Sequence, residues 1–186
     1  MTRSSLAGIA LVALAIPAFA APLNSGLKSG QRVSPFHPKH LAGPLAGTTG
    51  CFPCTFQDRP QAQVWVNGDD PKNVVAIAST LSKAMQTYKG KEFKALVVAL
   101  TDKSNAKATE AMIQSAAKLP STQGVGMAVL DKDADYVENY NINTSSDIKN
   151  TVIVYKNWTV AQNFVNVKGD AAGLAELNKA IASIAK

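Results

Sequence analysis

Beyond Cys51 and Cys54 the chain contains no cysteine, and beyond His37 and His40 it contains no histidine. Thiol, disulfide or soft-metal chemistry therefore has one closely spaced pair, C-F-P-C, to work with. No second apolar run of membrane-spanning length follows residue 20, so the segment beyond it reads as soluble. Aromatic residues make up only 6% of the chain. The basic residues are scattered, mostly as Lys, with no Arg-rich stripe, which argues against nucleic-acid binding. The formal net charge of +6, from 19 Lys and Arg against 13 Asp and Glu, fits a solvated basic surface. No internal repeat or low-complexity tract is present.

The first twenty residues, MTRSSLAGIALVALAIPAFA, read as a targeting segment. Arg3 gives a positive start, residues 6–19 are apolar, and Ala18-Phe19-Ala20 is a small-residue cleavage signature. The apolar run is shorter than the about 20 residues a bilayer requires. No cysteine follows it that could carry a lipid. The expectation is export with cleavage after Ala20 and a periplasmic or secreted protein with no membrane association. In that compartment a Cys51–Cys54 disulfide persists. A domain of this size does not need it in order to fold.

Residues 21–34 are rich in Gly, Ser and Lys and read as a flexible arm, leaving 35–186 as one domain. PFHPKHLAGPLAGTTG is turn-rich, with room for short strands at most. QAQVWV (61–66) alternates as a strand. Asp70 as N-cap, Pro71 at the first helical position and apolar Val74, Ile77, Ala78, Leu81 and Met85 predict a helix over 71–88. FKALVVAL (93–100) is an apolar run of buried-strand length. A helix over 104–118, a strand over 125–130, a short helix in DADYVENYNI and a strand over 151–155 follow. Lys156-Asn157 opens a turn into AQNFVNV, making a hairpin, and residues 171–185 form an amphipathic helix on Leu174, Leu177, Ile181 and Ile184. Strands alternating with helices predict an α/β sandwich whose sheet is largely parallel and covered on both faces, with an antiparallel end. Asn143-Thr144-Ser145 and Asn157-Trp158-Thr159 match the N-glycosylation pattern, which matters only in a host with that pathway.

This element order, the TVIVYKN hairpin with its terminal helix, and the single C-x-x-C together resemble the thioredoxin superfamily over residues 34–186. SPFHPKHLAGP resembles the N-terminal hairpin of its exported thiol-oxidoreductase and peroxiredoxin branch. The resemblance implies a thioredoxin-like three-layer sandwich with a mixed central sheet and thiol–disulfide oxidoreductase activity on thiol-bearing or disulfide-bearing proteins. It implies no organic cofactor. Two departures stand out. The family places its C-x-x-C after the first core strand, at a helix N-terminus; here that position holds NGDDPKN, with Asp69 and Asp70, and the pair lies ahead of the strand. The position of the family's cis-proline is Asn150, where a trans bond is expected.

Three readings of the pair remain open. As a redox couple, the resemblance makes Cys51 the exposed attacking thiolate and Cys54 the resolving thiol, with Lys39, Arg59 or the histidines supplying positive charge. The pair's place in a Gly-rich loop, away from a helix start, removes the family's main means of lowering the thiol pKa. As a metal clasp, His37, His40, Cys51 and Cys54 make an H-x2-H-x10-C-x2-C set for zinc or Cu(I). As a staple, the pair closes a four-residue loop that stabilises by about 2 kcal/mol or less. Trp65 and Tyr155 read as core or sheet-face residues, and Asp70 as a helix cap.

Overall fold

The computed structural model describes residues 23–186; the expected targeting segment and its cleavage point lie outside them. Six strands form one mixed sheet in the order β1-β4-β3-β2-β5-β6. They are β1 (Lys39–Ala42), β2 (Gln61–Val66), β3 (Lys94–Thr101), β4 (Gly126–Asp131), β5 (Asn150–Lys156) and β6 (Thr159–Val165). The helices are α1 (Phe52–Phe56), α2 (Pro71–Thr87), α3 (Ala106–Ala117), α4 (Asp135–Asn139) and α5 (Ala171–Ala185). β2, β3 and β4 run parallel, whereas β1, β5 and β6 join antiparallel.

The period-two alternation of β2 divides the core. Ala62, Val64 and Val66 face a layer built with Val74, Ile77 and Leu81 of α2, Ile113 of α3 and Leu177 and Ile181 of α5. Trp65 faces the opposite layer, with Phe36, Phe52, Tyr140 and Tyr155. β3 lies between both layers, which is why FKALVVAL is apolar throughout instead of alternating. The expected mixed sheet with helices on both faces is the architecture found, and α5 has the predicted bounds.

Asp70 caps α2 as expected, its Oδ1 accepting the Lys72 N–H at 2.7 Å, with Pro71 at the helix start. The hairpin turns on Asn157 and Trp158, whose φ of 52° and 63° are both left-handed. That is the geometry whose twist suits a two-residue hairpin loop. No peptide bond among the described residues is cis, Asn150 included.

The flexible-arm expectation is corrected from residue 23 onward. This segment lies along the β5–β6 side of the sheet, and Leu27 and Val33 are buried there. Gly30 N donates to Val160 O and Val160 N to Gln31 O, continuing the pairing beyond β6. Ser25 Oγ lies 2.6 Å from Thr151 Oγ1, and the Asn163 amide donates to Ser25 O. The Gly/Ser/Lys composition hid this, because the segment is held by backbone hydrogen bonds and two apolar side chains.

Candidate functional site

CFPC does not lie in open loop. Cys51, with φ −78° and ψ 109°, is the N-cap of α1, and the Cys54 N–H donates to its Sγ at 3.2 Å. Pro53 occupies the first turn, where its missing N–H costs nothing. Gln57 closes α1 in a positive-φ conformation, its N–H donating to Pro53 O at 2.7 Å. The expectation that the pair lacks a helix start is therefore corrected. One ordinary signal, the early proline Pro53, was present in C-F-P-C itself; cysteine is not a usual N-cap.

Cys51 and Cys54 are joined in a disulfide, with Cα atoms 5.2 Å apart. Their exposures reverse the expectation from the resemblance. Cys51 is 8% exposed, whereas Cys54 is only half-buried and is followed by exposed Thr55. The cause is Phe52, fully buried against Phe56 (ring centroids 4.6 Å apart, edge-on) and His40 (6.3 Å, stacked). A Cβ at Gly126 would lie 3.0 Å from Phe52 Cε2, so glycine there gives the ring its seat. Anchoring Phe52 draws Cys51 inward and leaves Cys54 the less buried of the pair.

His40, on β1, contacts both neighbours of Cys51. Its Nε2 lies 2.9 Å from Gly50 O and its ring stacks on Phe52. A carbonyl only accepts, so Nε2 carries the proton; Nδ1 is buried with no hydrogen-bond partner. Burial lowers the His40 pKa, and the bond to Gly50 offsets this in part. His37 is exposed, its Nδ1 3.2 Å from Tyr136 Oη.

The four residues of the metal reading do not come together. Each histidine is engaged elsewhere, the sulfurs are bonded to each other, and among the described residues no three His, Cys, Asp or Glu side chains are grouped to hold a metal ion. The cations expected near the pair also have other partners: Lys39 Nζ lies 2.8 Å from Glu110 and Arg59 Nε 3.0 Å from Glu92.

Where the resembled family would carry its cysteines, at the β2–α2 junction, a polar knot stands instead. Asp69 Oδ2 accepts from the amides of Asn73 and Asn150, both at 2.7 Å. Asn150 exchanges two bonds with the Val167 backbone, and the Gly169 N–H donates to Asn73 Oδ1. The sequence marks this place by Asp69 and Asp70, while Asn73 carries no motif of its own. A second network lies on β2. Gln61 and Gln63 are fully buried; Gln63 donates to Tyr155 Oη at 2.8 Å, and Tyr155 donates to Gln61 Oε1 at 2.7 Å. Two glutamines at period two beside Trp65 were the available signal.

No family model and no curated protein matches this sequence. Solved structures do match. A thiol:disulfide interchange protein of the DsbE type from Chlorobium tepidum, described there as putative, is 14% identical. It superposes with a TM-score of 0.62 over 86% of this chain and 99% of that one. An uncharacterized conserved protein from Geobacillus kaustophilus gives 0.64 at 10% identity, over 89% of this chain and 87% of that one. The peroxidoxin BcpB from Mycobacterium tuberculosis gives 0.55 at 13% identity, over 86% and 99%. At these identities the matches establish the thioredoxin-like fold.

Proposed function

We propose that this thioredoxin-fold chain is an exported thiol–disulfide oxidoreductase working through Cys51 and Cys54. The observation that carries the reading is the unequal burial of one disulfide: Cys54 is half-buried beside exposed Thr55, while Cys51 is buried at the helix cap with the Cys54 N–H directed at its sulfur.

Exchange follows from that asymmetry. A partner thiolate attacks the accessible Cys54 Sγ, a bond forms between them, and the Cys51–Cys54 bond breaks with its electron pair passing to Cys51 Sγ. The hydrogen bond to Cys51 stabilises it as the leaving thiolate, and a better-stabilised leaving thiolate departs faster. A second partner thiolate then attacks the partner sulfur of the mixed disulfide. Cys54 leaves as thiolate, and the partner departs as a disulfide. The reverse sequence oxidises the pair at the expense of a partner disulfide. The roles expected from the resemblance are thereby exchanged: Cys54 meets the partner and Cys51 resolves.

Thiol trapping with each single serine variant tests the reading. Cys51→Ser should accumulate a mixed disulfide on Cys54, and Cys54→Ser should accumulate little. The opposite pattern would restore Cys51 as the attacking residue. If neither variant forms a mixed disulfide and the parent resists dithiothreitol, the bond is a staple. The burial of Phe52 and Cys51 is the observation that favours this second reading.

Export belongs to the proposal, with residues 1–20 removed after Ala20. Among the described residues no helix is long and apolar enough to cross a membrane.

A further inference from the structure

Two strands, β3 with Lys94 and β5 with Lys156, bring lysines to the end of the sheet where β2 begins, and Lys91 lies just ahead of β3. Gln61, the first residue of β2, is paired with Lys94 on β3 and with Tyr155 on β5, the residue before Lys156. The α1–β2 connection runs over the same end. Together Gln57, Asp58, Arg59, Pro60, Lys91 and Lys156 line a recess of about 410 Å³. Lys94 Nζ stands 5.4 Å from the centroid of the Phe56 ring.

The charges here are unbalanced. Arg59 and Glu92 neutralise each other. Among the described residues, Lys91, Lys94 and Lys156 have no ion-pair partner, and the recess lining holds one carboxylate, Asp58. Gln57, which lines the recess, is the C-cap of α1 and lies three residues past Cys54 in the chain. The more accessible half of the disulfide and the basic recess thus share the short helix α1.

We propose that this recess, lined by Lys91 and Lys156 with Lys94 near the Phe56 ring, docks the acidic segment of a thiol-bearing protein and so delivers its cysteine to Cys54. The inference rests on the exchange reading above. It adds the partner's chemistry: Asp or Glu residues flanking the reactive cysteine. Docking leaves the step itself unchanged. The partner thiolate attacks Cys54 Sγ, and the electron pair of the broken bond goes to Cys51 Sγ.

The test measures reduction of the oxidised protein by three synthetic cysteine peptides, flanked by Asp/Glu, by Ser/Gly and by Lys. Rates are normalised to each peptide's thiolate fraction. At low salt the acidic peptide should react about tenfold faster than the neutral one, and the basic peptide more slowly. The advantage should vanish in 0.5 M salt, where the screening length is only a few Å. In Lys91→Met/Lys156→Met, with circular dichroism to confirm folding, the ratio of acidic to neutral peptide rates should fall to near one. In Lys91→Glu/Lys156→Glu the ratio should invert, the acidic peptide becoming the slower of the two. If all three peptides react alike, docking is wrong while exchange stands. If neither the peptides nor dithiothreitol reduces the bond, exchange fails and docking with it.

Discussion

The Asn150 amide nitrogen lies 2.7 Å from the Asp69 carboxylate, joining the start of β5 to the end of β2 where the resembled family would hold its reactive cysteine. The bond ties together two central strands and, through Val167, the segment leading to α5. In this place the chain has a closed hydrogen-bonded tie, and its disulfide lies ahead of the opposite end of β2.

Asn150 is 1% exposed, and its side chain makes three of these bonds. Asn150→Ala strands the Val167 N–H and removes one of two amide donors from Asp69. A loss of about 2 kcal/mol is expected in urea unfolding. Reduction of Cys51–Cys54 by dithiothreitol should keep its rate. A matching loss of exchange would show that the two ends of β2 act together.

Tyr155→Phe leaves buried Gln61 Oε1 and the Gln63 amide without the hydroxyl that joins them. Each stranded group costs roughly 1–3 kcal/mol, far more than the small change in shape. Chemical denaturation should show a loss of about 2 kcal/mol or more. A neutral result would mean that the glutamines re-pair with each other.

His40 makes stability depend on pH. Burial holds its folded pKa below the ordinary 6.5, so the unfolded chain takes up the proton first as pH falls. The contribution is complete above about pH 6.5. It declines by about 1.4 kcal/mol per unit below that, until the folded pKa is reached. Denaturation of His40→Gln at pH 7.5 and 5.5 should show a smaller loss than the parent over the same interval. An equal loss would place the dependence on other groups.

Processing gives a direct readout. Protein recovered from the medium or periplasm should begin at Ala21. Recovery from a membrane fraction with residues 6–19 intact would overturn export.

Much of the architecture was legible because it rests on periodicity. Val64 and Val66 against Ile77 and Leu81, or Leu177 and Ile181 at helical spacing, declare a buried face without knowledge of the partner. CFPC was legible as chemistry and misread as geometry, since a five-residue helix is too short to show a period and only Cys51 and Pro53 mark it. The His37, His40, Cys51 and Cys54 set looked coherent along the chain. In three dimensions the buried ring of His40 holds Gly50, while His37 turns outward to Tyr136.

By itself the sequence determined the strands and helices, the cap of α2, the covered sheet and the single place where sulfur chemistry is available. Only the tertiary structure decided which cysteine is the more deeply buried. That depends on where Phe52 is buried, against Gly126 and His40, and those contacts join residues distant in the chain. It alone also brought Lys94 of β3 and Lys156 of β5 to the end of the sheet where β2 begins, because strand register, set by the packing of whole sheet faces, determines which strand ends meet.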